Sequence, residues 1–283
     1  METKTVEANG LKFAYLEQGS GPLVLLVHGF PDTAHTWRDV MPAIAEAGFR
    51  AVAPFTRGYK PTEIPKDGDY ETDTLGRDLL ALIDALGDGK PAIVVGHDWG
   101  AIAGYCAAAL GPEKIRLLVT VALPHPGGVR PTPRLVWLVR HFFTLGKQNA
   151  AAALMANDCA YVDELWRRWS PAWKQIPASE TAHVKSAFQD PACAAAACGY
   201  YRAQGYRLRT PPTQRLPITV PSVAFAGTHD MISPRLFEKA RHKFTSSYEV
   251  IQVPGGHFMH REHPDEFRTE LVRVLRDHGL MTR

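Results

Sequence analysis

Ala92-Ile93-Val94-Val95, a short apolar run, passes through Gly96-His97-Asp98-Trp99-Gly100 directly into the apolar run Ala101–Leu110, which Gly111-Pro112 stops. Short continuous apolar runs suit strands buried on both faces, and a longer alanine-rich run suits a helix. Glycines at 96 and 100 leave room for a tight strand-to-helix turn, which projects residue 98 from the carboxyl edge of a sheet. Outward from this stretch the same alternation recurs. Upstream, strands are expected at Lys12–Gln18, Leu23–Val27 and Phe49–Pro54, with helices at about Thr36–Ala47 and Thr72–Leu86. Leu75, Leu79, Leu82 and Leu86 recur on one face of the second helix, and Gly87 ends it. Downstream, Ile115–Leu123 reads as the next strand. Strand–helix alternation of this kind implies an α/β fold, a doubly wound, mostly parallel sheet with right-handed crossovers.

The rhythm breaks at Pro124. From there to about Pro217 the pattern is helical and aromatic, with Trp137, Phe142, Phe143, Trp166, Trp169 and Trp173. Strands return at Val220–Ala226 and Tyr248–Val253, with helices near Pro234–Phe244 and Pro264–His278. The simplest organisation is a core of residues 1–123 and 217–283, interrupted by an inserted helical cap of residues 124–216.

Candidate chemistry gathers at strand ends. The pattern around residue 98 is that of a nucleophile elbow, G-x-S-x-G, with aspartate in the serine position. A carboxylate is already ionised at neutral pH and attacks an electrophilic carbon without a base. Asp98 therefore suits displacement at a saturated carbon, giving an alkyl–enzyme ester. Its plain alternative is a helix N-cap. Asp230, in Gly227-Thr228-His229-Asp230, and His257, in Pro254-Gly255-Gly256-His257-Phe258, each follow a predicted strand. Both belong at the same sheet edge, where open α/β sheets bind ligands. An aspartate orients an imidazole and the imidazole activates water. His229 and His260 are rival bases, ranked below His257 because Gly255-Gly256 marks a turn that presents it. In His28-Gly29-Phe30-Pro31 the Phe30 amide is expected to join that of Trp99 as an oxyanion hole. The His28 side chain itself is expected to be bonded internally.

Composition narrows the classes. The 283 residues carry 32 Lys and Arg against 29 Asp and Glu, net +3, without a basic cluster, so a nucleic-acid partner is not expected. Met1–Gly10 is polar and lacks the apolar core of a signal peptide, and the longest apolar stretches are too short to span a bilayer. A cytoplasmic protein without a membrane partner is the expectation. Cys106, Cys159, Cys193 and Cys198 have no zinc-like spacing and read as reduced structural thiols.

These motifs resemble the α/β-hydrolase superfamily, in the branch of soluble epoxide hydrolases and haloalkane dehalogenases, over about Leu11 to His278. Gly-His-Asp-Trp-Gly is shared by both activities. His-Gly-Phe-Pro, whose Phe-Pro bond is typically cis, leans towards epoxide hydrolases, since many dehalogenases carry Asn where Phe30 stands. Leu165–Pro171 is similar to epoxide hydrolase cap sequence. By its match in Gly199-Tyr200-Tyr201-Arg202, Tyr201 is implied as the proton donor to an opening oxirane. It is otherwise a packed cap aromatic. The family's second cap tyrosine is missing: that stretch reads Trp137-Leu138-Val139-Arg140-His141-Phe142-Phe143. His141 is the nearest substitute donor, although a structural or surface role suits it better, and Tyr161 and Tyr206 are more distant options. Phe55 replaces a frequent aspartate in a structural loop. The resemblance implies hydrolysis of a small apolar epoxide by water, with no metal or organic cofactor. A dehalogenase, with Trp99 as a halide ligand, and a non-catalytic small-molecule receptor remain the alternatives. The oligomeric state is not legible.

Overall fold

A computed structural model describes residues 2–130, 132–205 and 211–279. Among these residues eight strands form one sheet: β1 (Thr3–Ala8), β2 (Leu11–Gln18), β3 (Leu23–Val27), β4 (Arg50–Pro54), β5 (Ala92–His97), β6 (Ile115–Val121), β7 (Ser222–Gly227) and β8 (Tyr248–Val253). Their spatial order is β1-β2-β4-β3-β5-β6-β7-β8. β2 runs antiparallel to β1 and β4, while every pairing from β4 through β8 is parallel. β3 and β5 are buried at every position, as strands covered by helices on both faces must be.

The helices are α1 (Met41–Glu46), α2 (Thr72–Leu86), α3 (Trp99–Leu110), α4 (Pro133–Leu138), α5 (His141–Leu145), α6 (Ala150–Trp169, broken by non-helical backbone at residues 156–159), α7 (Ala178–Phe188), α8 (Pro191–Gln204), α9 (Pro234–Ala240), α10 (Met259–Glu262) and α11 (Pro264–Gly279). The expected helix over Thr36–Ala47 is divided: a 3₁₀ turn covers Ala34–Trp37 and α1 follows. β1 was not anticipated. Asn9-Gly10, both at positive φ, makes the two-residue hairpin turn that joins it to β2.

Two features position the site. β3 has β4 on one side and β5 on the other, so the chain's winding reverses between β3 and β5. Crevices open at the carboxyl ends of strands at such a reversal. Between β6 and β7 the described residues form helices α4–α8 without a strand. All four cysteines are buried free thiols. No helix of the described residues is long and apolar enough to cross a membrane.

Candidate active site

Asp98 lies between β5 and α3 with φ 51° and ψ −115°. Positive φ costs a β-carbon-bearing residue energy, so packing must enforce it. The two glycines allow that packing. A Cβ on Gly96 would sit 2.2 Å from the Gly100 carbonyl oxygen, and one on Gly100 would sit 2.2 Å from that of Val27. The Asp98 carboxylate makes no capping bond to α3, which removes the N-cap alternative. Its Oδ1 accepts the Phe30 amide at 2.9 Å, and its Oδ2 lies 3.4 Å from His257 Nε2. Gly29 permits this approach, since a Cβ there would lie 2.4 Å from that of Asp98. The Phe30-Pro31 peptide is cis. Of the two expected oxyanion donors, Phe30 is thus hydrogen-bonded to the carboxylate. The Trp99 amide, at the first turn of α3, is not.

His257 follows β8 and is fully buried. Its Nδ1 lies 3.2 Å from Asp230 Oδ2, while Asp230 Oδ1 accepts the Ile232 amide at 2.9 Å. Burial lowers the basicity of His257, but the Asp230 and Asp98 carboxylates outweigh it and hold its pKa up at about 10. Burial would likewise raise the Asp98 carboxyl, yet the adjoining imidazole keeps it below the ordinary carboxylate range. The rival bases are elsewhere. His229 is exposed and pairs with its neighbour Thr228, and His260 is buried against Thr36 Oγ1 at 2.7 Å. His28 is bonded internally, as expected, to the Gly29 carbonyl and the Thr56 amide.

Asp98 and His257 open onto a cavity of about 250 Å³, whose walls are mostly apolar, among them Ile102, Val129, Leu135, Val139, Met231 and Leu236. Tyr201, from α8, and His141, from α5, line the same cavity. Tyr201 is 1% exposed and edge-on to Phe30 at 5.1 Å, Trp99 at 5.3 Å and Phe142 at 4.9 Å. Burial, then the Asp98 charge, push its phenol pKa well up. His141 is not a surface residue: it is buried, 5.7 Å from the Tyr201 ring and 4.7 Å from that of Trp169. Burial drives its pKa down to about 3, so it is neutral. Tyr161 does not line the cavity, and Tyr206 lies outside the described residues.

Residues that sequence reasoning missed hold the His257 loop. The His257 amide donates to the Trp169 carbonyl at 3.0 Å. Glu262 Oε1 accepts the Gly256 amide at 2.8 Å and the Ser170 hydroxyl at 2.5 Å. These contacts join α6, α10 and the β8 loop across the chain. No local spacing signals them.

Comparison with known proteins gives the family. A family model described as alpha/beta hydrolase fold matches residues 22–264. An epoxide hydrolase from Caballeronia sordidicola is 45% identical over 121 residues, which are 42% of this chain but only 36% of that relative. Epoxide hydrolase A of Mycobacterium tuberculosis is 26% identical over 313 residues, covering 96% of each protein. The crystal structure of an epoxide hydrolase from Vigna radiata superposes with a TM-score of 0.80 at 27% identity, covering 98% of both chains.

Proposed function

The chain belongs to the α/β-hydrolase fold family, and on that premise we propose that it hydrolyses small apolar epoxides to vicinal diols through an ester on Asp98. The observation that carries this reading is the split carboxylate: Oδ1 is held by the Phe30 amide while Oδ2 faces His257 and the cavity. Residues 124–216 act as a cap over a core of 1–123 and 217–283, which closes an apolar chamber around the nucleophile.

Oδ2 attacks a ring carbon from behind, the carbon–oxygen bond breaks, and Tyr201 protonates the departing oxygen. His141 stands beside Tyr201 in place of the missing second tyrosine and hydrogen-bonds the same oxygen. Esterification removes the Asp98 charge, one of the two that hold His257 protonated, so His257 gives up its proton, which restores the Tyr201 phenol, and is free to act as the base of the second half-reaction. His257, oriented by Asp230, then takes a proton from water, and the hydroxide attacks Cγ. Oδ1, already on the Phe30 amide, carries the developing charge, and Trp99 is the second donor. When the acyl–oxygen bond breaks, one water proton leaves with the diol and the other stays on His257, which is again protonated beside the restored Asp98 carboxylate. No cofactor enters this sequence, and the partners are substrate and water alone.

Phe30 in place of Asn argues against a halide site. An assembled triad argues against a mere receptor. The test is a panel of styrene-type and aliphatic epoxides and bromoalkanes, with diol and bromide measured together. Diol without bromide is expected, as is a mass increase on the Asp98 peptide of the H257Q variant. Bromide without diol, or no labelled peptide under saturating substrate, overturns the reading.

A further inference from the structure

His97 directly precedes Asp98 in sequence and takes no part in the proposed cycle. Its side chain points away from the cavity into the interior behind His257 and is fully buried. Its Nε2 lies 2.9 Å from the His257 carbonyl oxygen, a contact that requires the nitrogen to carry the proton. The His257 peptide is therefore gripped from both sides, with its N–H on the Trp169 carbonyl and its C=O on His97. The His97 ring stands 5.0 Å from that of His257 and 4.7 Å from that of His260. His260 is fixed in turn by Thr36 Oγ1 at 2.7 Å and by stacking on Trp37 at 4.9 Å.

We propose that His97 is a positioning residue for ester hydrolysis, its Nε2–H fixing the His257 backbone so that the imidazole keeps its place between Asp98 and Asp230. The proposal rests on the two-step reading given above. Burial keeps His97 uncharged, with its pKa lowered to about 3, so it donates without repelling the imidazolium it supports. Attack by Asp98 does not need His257, whereas attack by water does. Loss of the His97 grip therefore slows the second step selectively. A one-ångström misplacement of a catalytic group costs on the order of 100-fold.

The experiment is single-turnover kinetics with quenched-flow mass spectrometry on wild type, H97A and H97Q. Glutamine presents an N–H at a similar reach and serves as the conservative rescue. H97A is expected to form the ester at close to the wild-type rate but to hydrolyse it about 10- to 100-fold more slowly, so that ester accumulates. H97Q should recover much of the loss. Equal slowing of both steps in H97A and H97Q marks a general disturbance of the elbow and overturns the proposal, as does unchanged hydrolysis in H97A. The low-field Nδ1 proton resonance of His257 is read in parallel, without substrate. Its shift or broadening in H97A and return in H97Q is expected, and an unmoved resonance refutes the grip. Absence of any ester in wild type would remove the epoxide reading alone and leave the resonance to decide.

Discussion

The sheet edge and the helices above it build the same cavity by different means. At the sheet edge, backbone does the placing. Asp98 sits at an enforced positive φ, three glycines admit the crossing chains, and Oδ1 rests on a main-chain amide. In the helices, side-chain packing does the placing. Tyr201 and His141 are held by edge-on rings, and among the described residues no main-chain amide donates to either as that of Phe30 does to Asp98. Backbone geometry tolerates almost no change, whereas a packed aromatic shell relaxes around a substitution. Changes at the edge should therefore abolish function or folding, and changes above it should tune rate and selectivity.

The largest effect tests the edge itself. D98N should lose turnover by at least about 10⁴-fold, in the range seen when a covalent nucleophile is removed. It should also lower the pKa of His257, because one of the two charges that hold it near 10 is gone. An NMR titration of His257 checks the sign. An imidazole that titrates unchanged in D98N would break the claim that esterification frees the base. Next comes G29A, which inserts a methyl group 2.6 Å from Asp98 Oδ1. Displaced from the Phe30 amide, the carboxylate should lose activity steeply, and the crowding should lower stability by about 1–3 kcal/mol in denaturant titration. Full activity in G29A would show the edge to be as forgiving as the cap.

This contrast also explains what was legible in sequence. Asp98, Asp230, His257 and Phe30 sit in short motifs at strand ends, so their chemistry and their placement are read together. The parallel core was equally plain, because buried strands are apolar without interruption. β1 was not, since its exposed, charged residues hide a strand whose signal is only the Asn9-Gly10 turn. Tyr201 and His141 were reachable through family resemblance alone. Helical spacing states which face is apolar but not that two rings from α5 and α8 meet over Asp98. His141 shows the limit: its neighbours in sequence, Arg140 and Phe142, do not foretell that it is buried. The clamp on His257 by Trp169, Ser170 and Glu262 was invisible for the same reason, being tertiary throughout.

Above the edge, smaller effects are expected. Y201F removes one proton donor while leaving the ring contacts, so kcat for epoxides should fall by about 10²-fold, at the low end of general-acid contributions, with unfolding unchanged. H141F should cost less and act mainly on the same step. If Y201F is inert and H141F is severe, the two cap residues exchange roles and the comparison is sharpened rather than lost.

The smallest effect concerns the seam between the two regions. Arg38, from the loop after β3, and Arg261, on α10, both bind Glu180 of α7, at 2.9 and 2.8 Å. Beside them His35 stacks on His183 of α7 at 3.9 Å, and Arg261 also pairs with Asp39. Burial, then His183, lowers the pKa of His35 to about 4, and burial lowers that of His183 too. A histidine depressed in the folded state binds protons better once released, so stability is intact above the free value near 6.5 and is lost as pH falls from there towards 4. His28, His97 and His125 in the core carry the same sign, with values of about 4, 3 and 4. They differ in what releases them. The core histidines gain protons only through unfolding of the sheet, whereas lifting α7 frees His35 and His183. Acidification should therefore loosen the helices before the sheet. Hydrogen exchange, corrected for intrinsic rates, is expected to show α7 amides opening severalfold faster relative to β3 and β5 at pH 5 than at pH 7.5. H183L should remove that difference by preventing two positive rings from facing each other. Parallel loss of protection in α7 and the sheet would mean that the two regions, however differently built, open as one unit.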